Sequence, residues 1–156
     1  PNAQFTSYLA QIQYSKLLKE RLHVTAKALV QHAADPLLSI EKYALGGIKT
    51  VRGYRQNQVV RDNAYLASLE AHYRPDLPIW VDLIGFVDWG RGENHKDSAA
   101  TGRSDLASIG IGVVLKHSTR LSVELYLAHG FDEFKTSEYD LQDDGVHFRL
   151  EYRHAF

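Results

Sequence analysis

"LHVTAKALVQ", residues 22–31, alternates apolar and polar side chains with a period of two. Leu22, Val24, Ala26, Ala28 and Val30 fall on one side of an extended chain. His23, Thr25, Lys27 and Gln31 fall on the other, and Leu29 alone breaks the pattern. A strand with one apolar face is the structure this period dictates. What decides the fold is whether that face meets a protein core or lipid.

The same period recurs along the chain. Around residues 64–73, Tyr65, Ala67, Leu69, Ala71 and Tyr73 oppose Ser68, Glu70 and His72. Further on, Ala107, Ile109, Ile111, Val113 and Leu115 oppose Ser108, Gly110, Gly112 and Lys116, and Leu121, Val123, Leu125 and Leu127 oppose Ser122, Glu124 and Tyr126. At the end, Val146, Phe148, Leu150, Tyr152 and Phe156 oppose His147, Arg149, Glu151 and Arg153. Two less regular stretches, about 5–14 and 79–89, bring the predicted strands to seven.

Alternation alone fits a soluble sandwich as well as a membrane barrel. Length and connections separate them. Strands of about ten residues match the ~9–11 needed to cross a hydrocarbon core at a tilt, where soluble strands usually run about five or six. Connections alternate short (about 17–21, 74–78, 117–120) and long (about 32–63, 90–104, 130–145). Short turns on one rim and long loops on the other are the pattern of an outer-membrane barrel. The predicted fold is an all-β, transmembrane antiparallel β-barrel.

Composition agrees with this and excludes several classes. The 156 residues are 44% hydrophobic and 24% charged, without a run of apolar residues long enough for a membrane helix. A barrel escapes that test because its lipid-facing residues alternate with polar ones. A net charge of −1 lacks the footprint of a nucleic-acid binder. Without cysteine there is no disulfide framework and no thiolate chemistry. The eight histidines show no zinc-ligand spacing, so neither a metal nor a cofactor is expected. Ser, His and Asp are present without a G-x-S-x-G elbow or a clustered dyad, and the chain reads as non-enzymatic. "GIG" at 110–112 has no third glycine and no following helix, so it is not a dinucleotide site.

Two motifs stand apart from the strand pattern. Val51-Arg52-Gly53-Tyr54 lies in the longest connection, about 32–63. "GFVDWGRG", at the end of the fourth strand, puts Phe86, Asp88 and Gly90 on the face opposite Val87 and Trp89. If Val87 faces lipid, Asp88 faces the lumen. The expectation is that the loop folds inward and that Arg52 pairs with Asp88, since a guanidinium fork grips a carboxylate bidentately and stays charged when desolvated. Gly53 would permit a tight turn or a close approach to the wall. A terminal Phe156, preceded by Tyr152, Leu150 and Phe148 at alternate positions except for His154, resembles the sorting signal that ends bacterial outer-membrane proteins and implies a meeting with the barrel assembly machinery during biogenesis.

The VRGY loop, the preceding "LLSIEKYALGG", the FVDWG strand, "LASIGIGVVL" and the final "HFRLEYRHAF" resemble the carboxy-terminal barrel half of the Omp85 superfamily. The most similar branch is the two-partner secretion transporters, the haemolysin and filamentous-haemagglutinin secretion/activation proteins. The resemblance implies a barrel of about sixteen strands with the loop inserted and Arg52 on Asp88. It also implies that Gly110 and Gly112 make luminal room for that loop. Residues 1–156 would then be the carboxy-terminal part of the barrel, with POTRA domains and the remaining strands upstream. The implied function is an outer-membrane pore that secretes a partner exoprotein, in contact with lipid and lipopolysaccharide; an outer-membrane assembly or insertase factor is the alternative. One departure stands out: Arg61-Asp62-Asn63-Ala64 occupies a place where the family commonly has glycines around the aspartate.

Overall fold

The computed structural model describes residues 5–96, 102–117, 121–132 and 144–153. Among these the elements are β1 (Ser7–Lys19), β2 (Leu22–Ala33), β3 (Tyr43–Leu45), β4 (Val59–Arg61), β5 (Asn63–Tyr73), β6 (Trp80–Glu93), β7 (Arg103–Lys116), β8 (Leu121–Gly130) and β9 (Val146–Tyr152). One seven-stranded antiparallel sheet has the order β1-β2-β5-β6-β7-β8-β9, and β3 and β4 form a small sheet of their own. The large sheet is an antiparallel meander in which each strand pairs with the next one in the chain, the β3–β4 hairpin standing apart between β2 and β5. It does not close on itself. Each of its edge strands, β1 and β9, is paired on one side.

Residues 20–21 and 74–79 turn the chain at one end of the sheet, and residues 34–62 join β2 to β5 at the other. Several elements differ from the sequence-based expectation in extent. β1 continues to Lys19, where it still pairs with Leu22 of β2, and β6 to Glu93, where alternate burial persists through residues with weak apolar contrast. The long connection, in which the sequence shows no strand period, contains the β3–β4 hairpin, where Tyr43 pairs with Arg61 and Leu45 with Val59. Three-residue strands fall below the length at which sequence periodicity registers.

The two faces of the sheet are inverted relative to a soluble protein. Leu69, Leu83, Val87, Ile109, Ile111 and Leu127 point away from the long loop and are exposed, Ile111 by 64%. Facing the loop, Ser68, Glu70, Asp88, Ser108 and His147 are buried. Water would drive the opposite arrangement. A bare apolar belt over a polar, covered inner face is what a barrel wall in lipid requires. Phe148, Leu150 and Tyr152 continue that belt on β9, all exposed, whereas Phe156 lies outside the described residues.

The apolar residues that are buried lie between the loop and the inner face. Leu45, Val51, Tyr54 and Val59 from the loop pack with Ala64, Leu66 and Leu106 from the wall. Ile84, Phe86, Val114 and Tyr126 form a second cluster, against which Ile48 packs. The loop is therefore held by a core of its own, in addition to polar contacts.

Candidate functional site

The strand register builds a platform for one arginine. Ser68 on β5 stands directly opposite Asp88 on β6, and Glu70 opposite Phe86. On the far side Phe86 opposes Gly110 on β7, and Gly112 opposes Tyr126 on β8. With a side-chain period of two, all of these face the loop. Into this patch the loop delivers Arg52, 4% exposed, against Asp88, 0% exposed.

Arg52 is bound on every side. Nε donates to Asp88 Oδ2 and Nη2 to Asp88 Oδ1, both at 2.7 Å. Nη2 also reaches Ser68 Oγ at 3.3 Å, and Nη1 lies 2.9 Å from Glu70 Oε1. The backbone amide of Arg52 donates to Asp88 Oδ2 at 3.1 Å, so the carboxylate holds main chain as well as side chain. Ser68 Oγ in turn donates to Asp88 Oδ1 at 2.6 Å. The guanidinium carbon rests 3.6 Å from the centroid of the Phe86 ring and 5.3 Å from that of Tyr126, within cation–π range.

Burial opposes the charge on Arg52, but hydrogen bonding to Asp88 and the charges of Asp88 and Glu70 outweigh it and raise its pKa above the ordinary arginine value. It remains a cation. Two carboxylates against one guanidinium leave a spare negative charge, and Lys27 Nζ meets it 3.1 Å from Glu70 Oε2.

The flanking loop residues are also seated. Gly53 adopts φ +89°, in the left-handed region that favours glycine, and its amide donates to His147 Nε2 on β9 at 2.8 Å. A Cβ there would stand 3.2 Å from both Ala128 Cβ and Gly130 N. Tyr54 Oη donates to the Ala107 carbonyl at 2.7 Å and accepts the Asp132 amide at 3.1 Å. Burial, the largest influence on its phenol, raises the pKa. Val51 is fully buried over Gly90, where a Cβ would come within 2.8 Å of Val51 Cγ2.

Gly110 and Gly112 serve a different neighbour from the one expected. A Cβ at Gly110 would strike Phe86 Cζ and the backbone of β8, and one at Gly112 would strike the Tyr126 ring. The room these glycines leave is taken by the two aromatic rings that carry the guanidinium, rather than by the inserted loop. Their effect on the loop passes through Phe86 and Tyr126.

Sequence reasoning placed Glu70 on the inner face without assigning it to Arg52, it missed Ser68 and His147 as site residues, and it noted Asp62 only as the family aspartate without its flanking glycines, with no role assigned. Asp62 is fully buried: Oδ1 accepts the Leu37 amide at 3.0 Å and lies 3.2 Å from Lys42 Nζ, while Oδ2 accepts the His95 amide at 2.8 Å. It ties the ends of two long connections together. The signal that pointed to it was the aspartate that follows the loop motif in the family, which Asp62 matches without the flanking glycines.

The arrangement is a non-covalent latch: a loop arginine locked to a wall carboxylate above a groove of about 640 Å³, lined in part by Lys27, Arg52, Glu70, His72, Asp82 and Tyr126.

Residues 1–115 match the family model of the haemolysin secretion/activation protein ShlB/FhaC/HecB. Among characterised proteins, the heme/hemopexin transporter protein HuxB of Haemophilus influenzae strain 86-028NP is 26% identical over 140 residues, which is 85% of this chain and 25% of that protein. HuxB of the Rd strain matches at the same identity and coverage. The chain thus spans about a quarter of the length of the curated relatives it matches. No solved structure matches it. With a family match over most of its length, an antiparallel sheet that is apolar outside and polar inside, and a loop latched to the inner face, the chain belongs to the haemolysin secretion/activation (ShlB/FhaC/HecB) family of two-partner secretion transporters in the Omp85 superfamily.

Proposed function

We propose that these residues are the carboxy-terminal wall of an outer-membrane pore that secretes a partner exoprotein of haemolysin or adhesin type, with POTRA domains and the remaining strands supplied upstream. The observation that carries this reading is the buried fork of Arg52 on Asp88, which fixes loop 34–62 against the inner face. A loop held there occupies the path a translocating chain would take. Its position then determines whether the path is competent for transport.

The latch supplies positioning. A buried ion pair need add little net stability, because desolvating both charges offsets their attraction. Removing one partner is another matter, since it strands a buried charge at about 3–5 kcal/mol. The loop would leave its seat before tolerating that. The wall itself is held by strand pairing and does not depend on the latch.

The test is secretion of the partner exoprotein by the full-length transporter carrying Arg52→Ala or Asp88→Asn, with folded barrel at the cell surface quantified alongside. Loss of secretion with surface barrel unchanged supports the reading. Wild-type secretion by both variants sinks it, and normal secretion with failed outer-membrane protein assembly would return the insertase function instead.

A further inference from the structure

A second cluster occupies the inner face at the end of the sheet that carries the short turns. His23 on β2 is the direct cross-strand partner of His72 on β5. His72 opposes Ile84 on β6, which makes Asp82, two residues earlier, its diagonal neighbour on the same face. One potential ligand atom from each of the three lies within 4.8 Å of the others, and among the described residues no other trio of histidine, aspartate or glutamate side chains gathers this way. The two imidazoles stack with centroids 4.3 Å apart and planes inclined by 15°.

Two further details point to a ligand. Asp82 is 4% exposed, yet its Oδ1 has no hydrogen-bond partner. A buried carboxylate oxygen left unpaired is costly and calls for a cation or a donor. Arg74 does not supply it: its guanidinium stands 3.7 Å from the other oxygen, Oδ2, beyond hydrogen-bond range. The second detail is on His72. Its Nε2 lies 3.2 Å from Glu70 Oε2, while Nδ1 faces Asp82 Oδ2 at 3.0 Å. A carboxylate on Nε2 is the outer-sphere partner that orients metal-binding histidines, and an ion bound at Nδ1 would displace the proton that Nδ1 now shares with Asp82.

Two imidazole nitrogens and one carboxylate oxygen suit a borderline divalent ion of the zinc class, with water in the fourth place. Calcium and magnesium prefer oxygen donors throughout. Bonds of about 2.0–2.2 Å place tetrahedral ligands roughly 3.3 Å apart. The His72–Asp82 pair already meets that spacing, and rotation of the half-buried His23 ring closes the remainder.

We propose that His23, His72 and Asp82 form a zinc-class divalent metal site that staples β2, β5 and β6 at the short-turn rim of the barrel. The site stands apart from the latch in chemistry but shares Glu70 with it, whose Oε1 lies on Arg52 and whose Oε2 lies on His72. Metal binding would therefore stiffen the carboxylate that seats Arg52.

The experiment uses the full-length transporter without a polyhistidine tag, in detergent, stripped with a chelator and titrated with Zn²⁺ by calorimetry and with Co²⁺ by visible absorption. Heat-modifiable migration reports that each sample is folded. The expected result is one equivalent bound, with the intense Co²⁺ bands of a four-coordinate site. His23→Asn and Asp82→Asn should each weaken Zn²⁺ binding by about tenfold or more, while His129→Ala, on β8, binds as wild type. Wild-type protein that takes up no metal overturns the proposal, as do folded His23→Asn and Asp82→Asn variants with undiminished affinity.

Discussion

Gly53 donates its backbone amide to Nε2 of His147 at 2.8 Å, joining two residues 94 apart in the chain. This bond ties the latch loop to β9, whereas Arg52 ties it to β5 and β6. Acceptance at Nε2 requires a neutral ring with its proton on Nδ1. With Tyr54 bonded to the Ala107 carbonyl of β7 as well, the loop is pinned at several points of the wall, and loss of the His147 bond alone, which strands no charge, should loosen it without freeing it.

Replacing His147 by leucine removes the acceptor and leaves the half-buried Gly53 amide without its partner, at a cost of about 1 kcal/mol. Hydrogen–deuterium exchange of residues 51–54 should rise in His147→Leu while β6 and β7 stay protected. Unchanged exchange at the loop would show that the bond carries no weight.

Arg52→Lys should behave almost like Arg52→Ala. A lysine ammonium is a point charge that cannot span both oxygens of Asp88, Ser68 and Glu70 at once, and it lacks the flat face that rests on Phe86. Secretion by the lysine variant is the readout, and recovery to near the wild-type level would mean that charge alone suffices.

Gly90→Ala introduces a Cβ 2.8 Å from Val51 Cγ2. Overpacking of this kind costs about 1–3 kcal/mol. Since β6 is fixed by pairing on both sides, the loop should give way. Single-channel conductance in planar bilayers is expected to become larger or noisier in Gly90→Ala, and the added change Val51→Ala should reverse part of the effect.

The bare face gives an independent prediction. Val87→Arg and Ile109→Arg place a charge on the exposed apolar belt, where about 2–4 kcal/mol is lost at mid-membrane. Ser122→Arg, on the opposite face, should cost far less. Urea titration of barrels folded into lipid vesicles measures the difference, and equal costs for the three variants would contradict a lipid-facing belt.

The alternation in 22–31, 64–73 and 107–116 is enough to read β2, β5 and β7 and to sort their faces, and the VRGY and FVDWG motifs single out Arg52 and Asp88 as an expected pair. Those features are local. A period of two, a strand length and a motif on one face are all written in consecutive residues. The β3–β4 hairpin was not legible, because three-residue strands have no period to detect. Nor were the partners that complete the site. Ser68 meets Asp88, Glu70 meets Phe86 and His23 meets His72 only through inter-strand register, and a slip of one residue would turn each to the other face. The same holds for Gly110 and Gly112, whose missing side chains mattered to Phe86 and Tyr126 on neighbouring strands. Sequence alone thus determined which residues are inward and which outward, since that depends on each strand's own alternation. Tertiary structure decided which inward residues touch, since that depends on how separate strands are aligned by the hydrogen bonds between them.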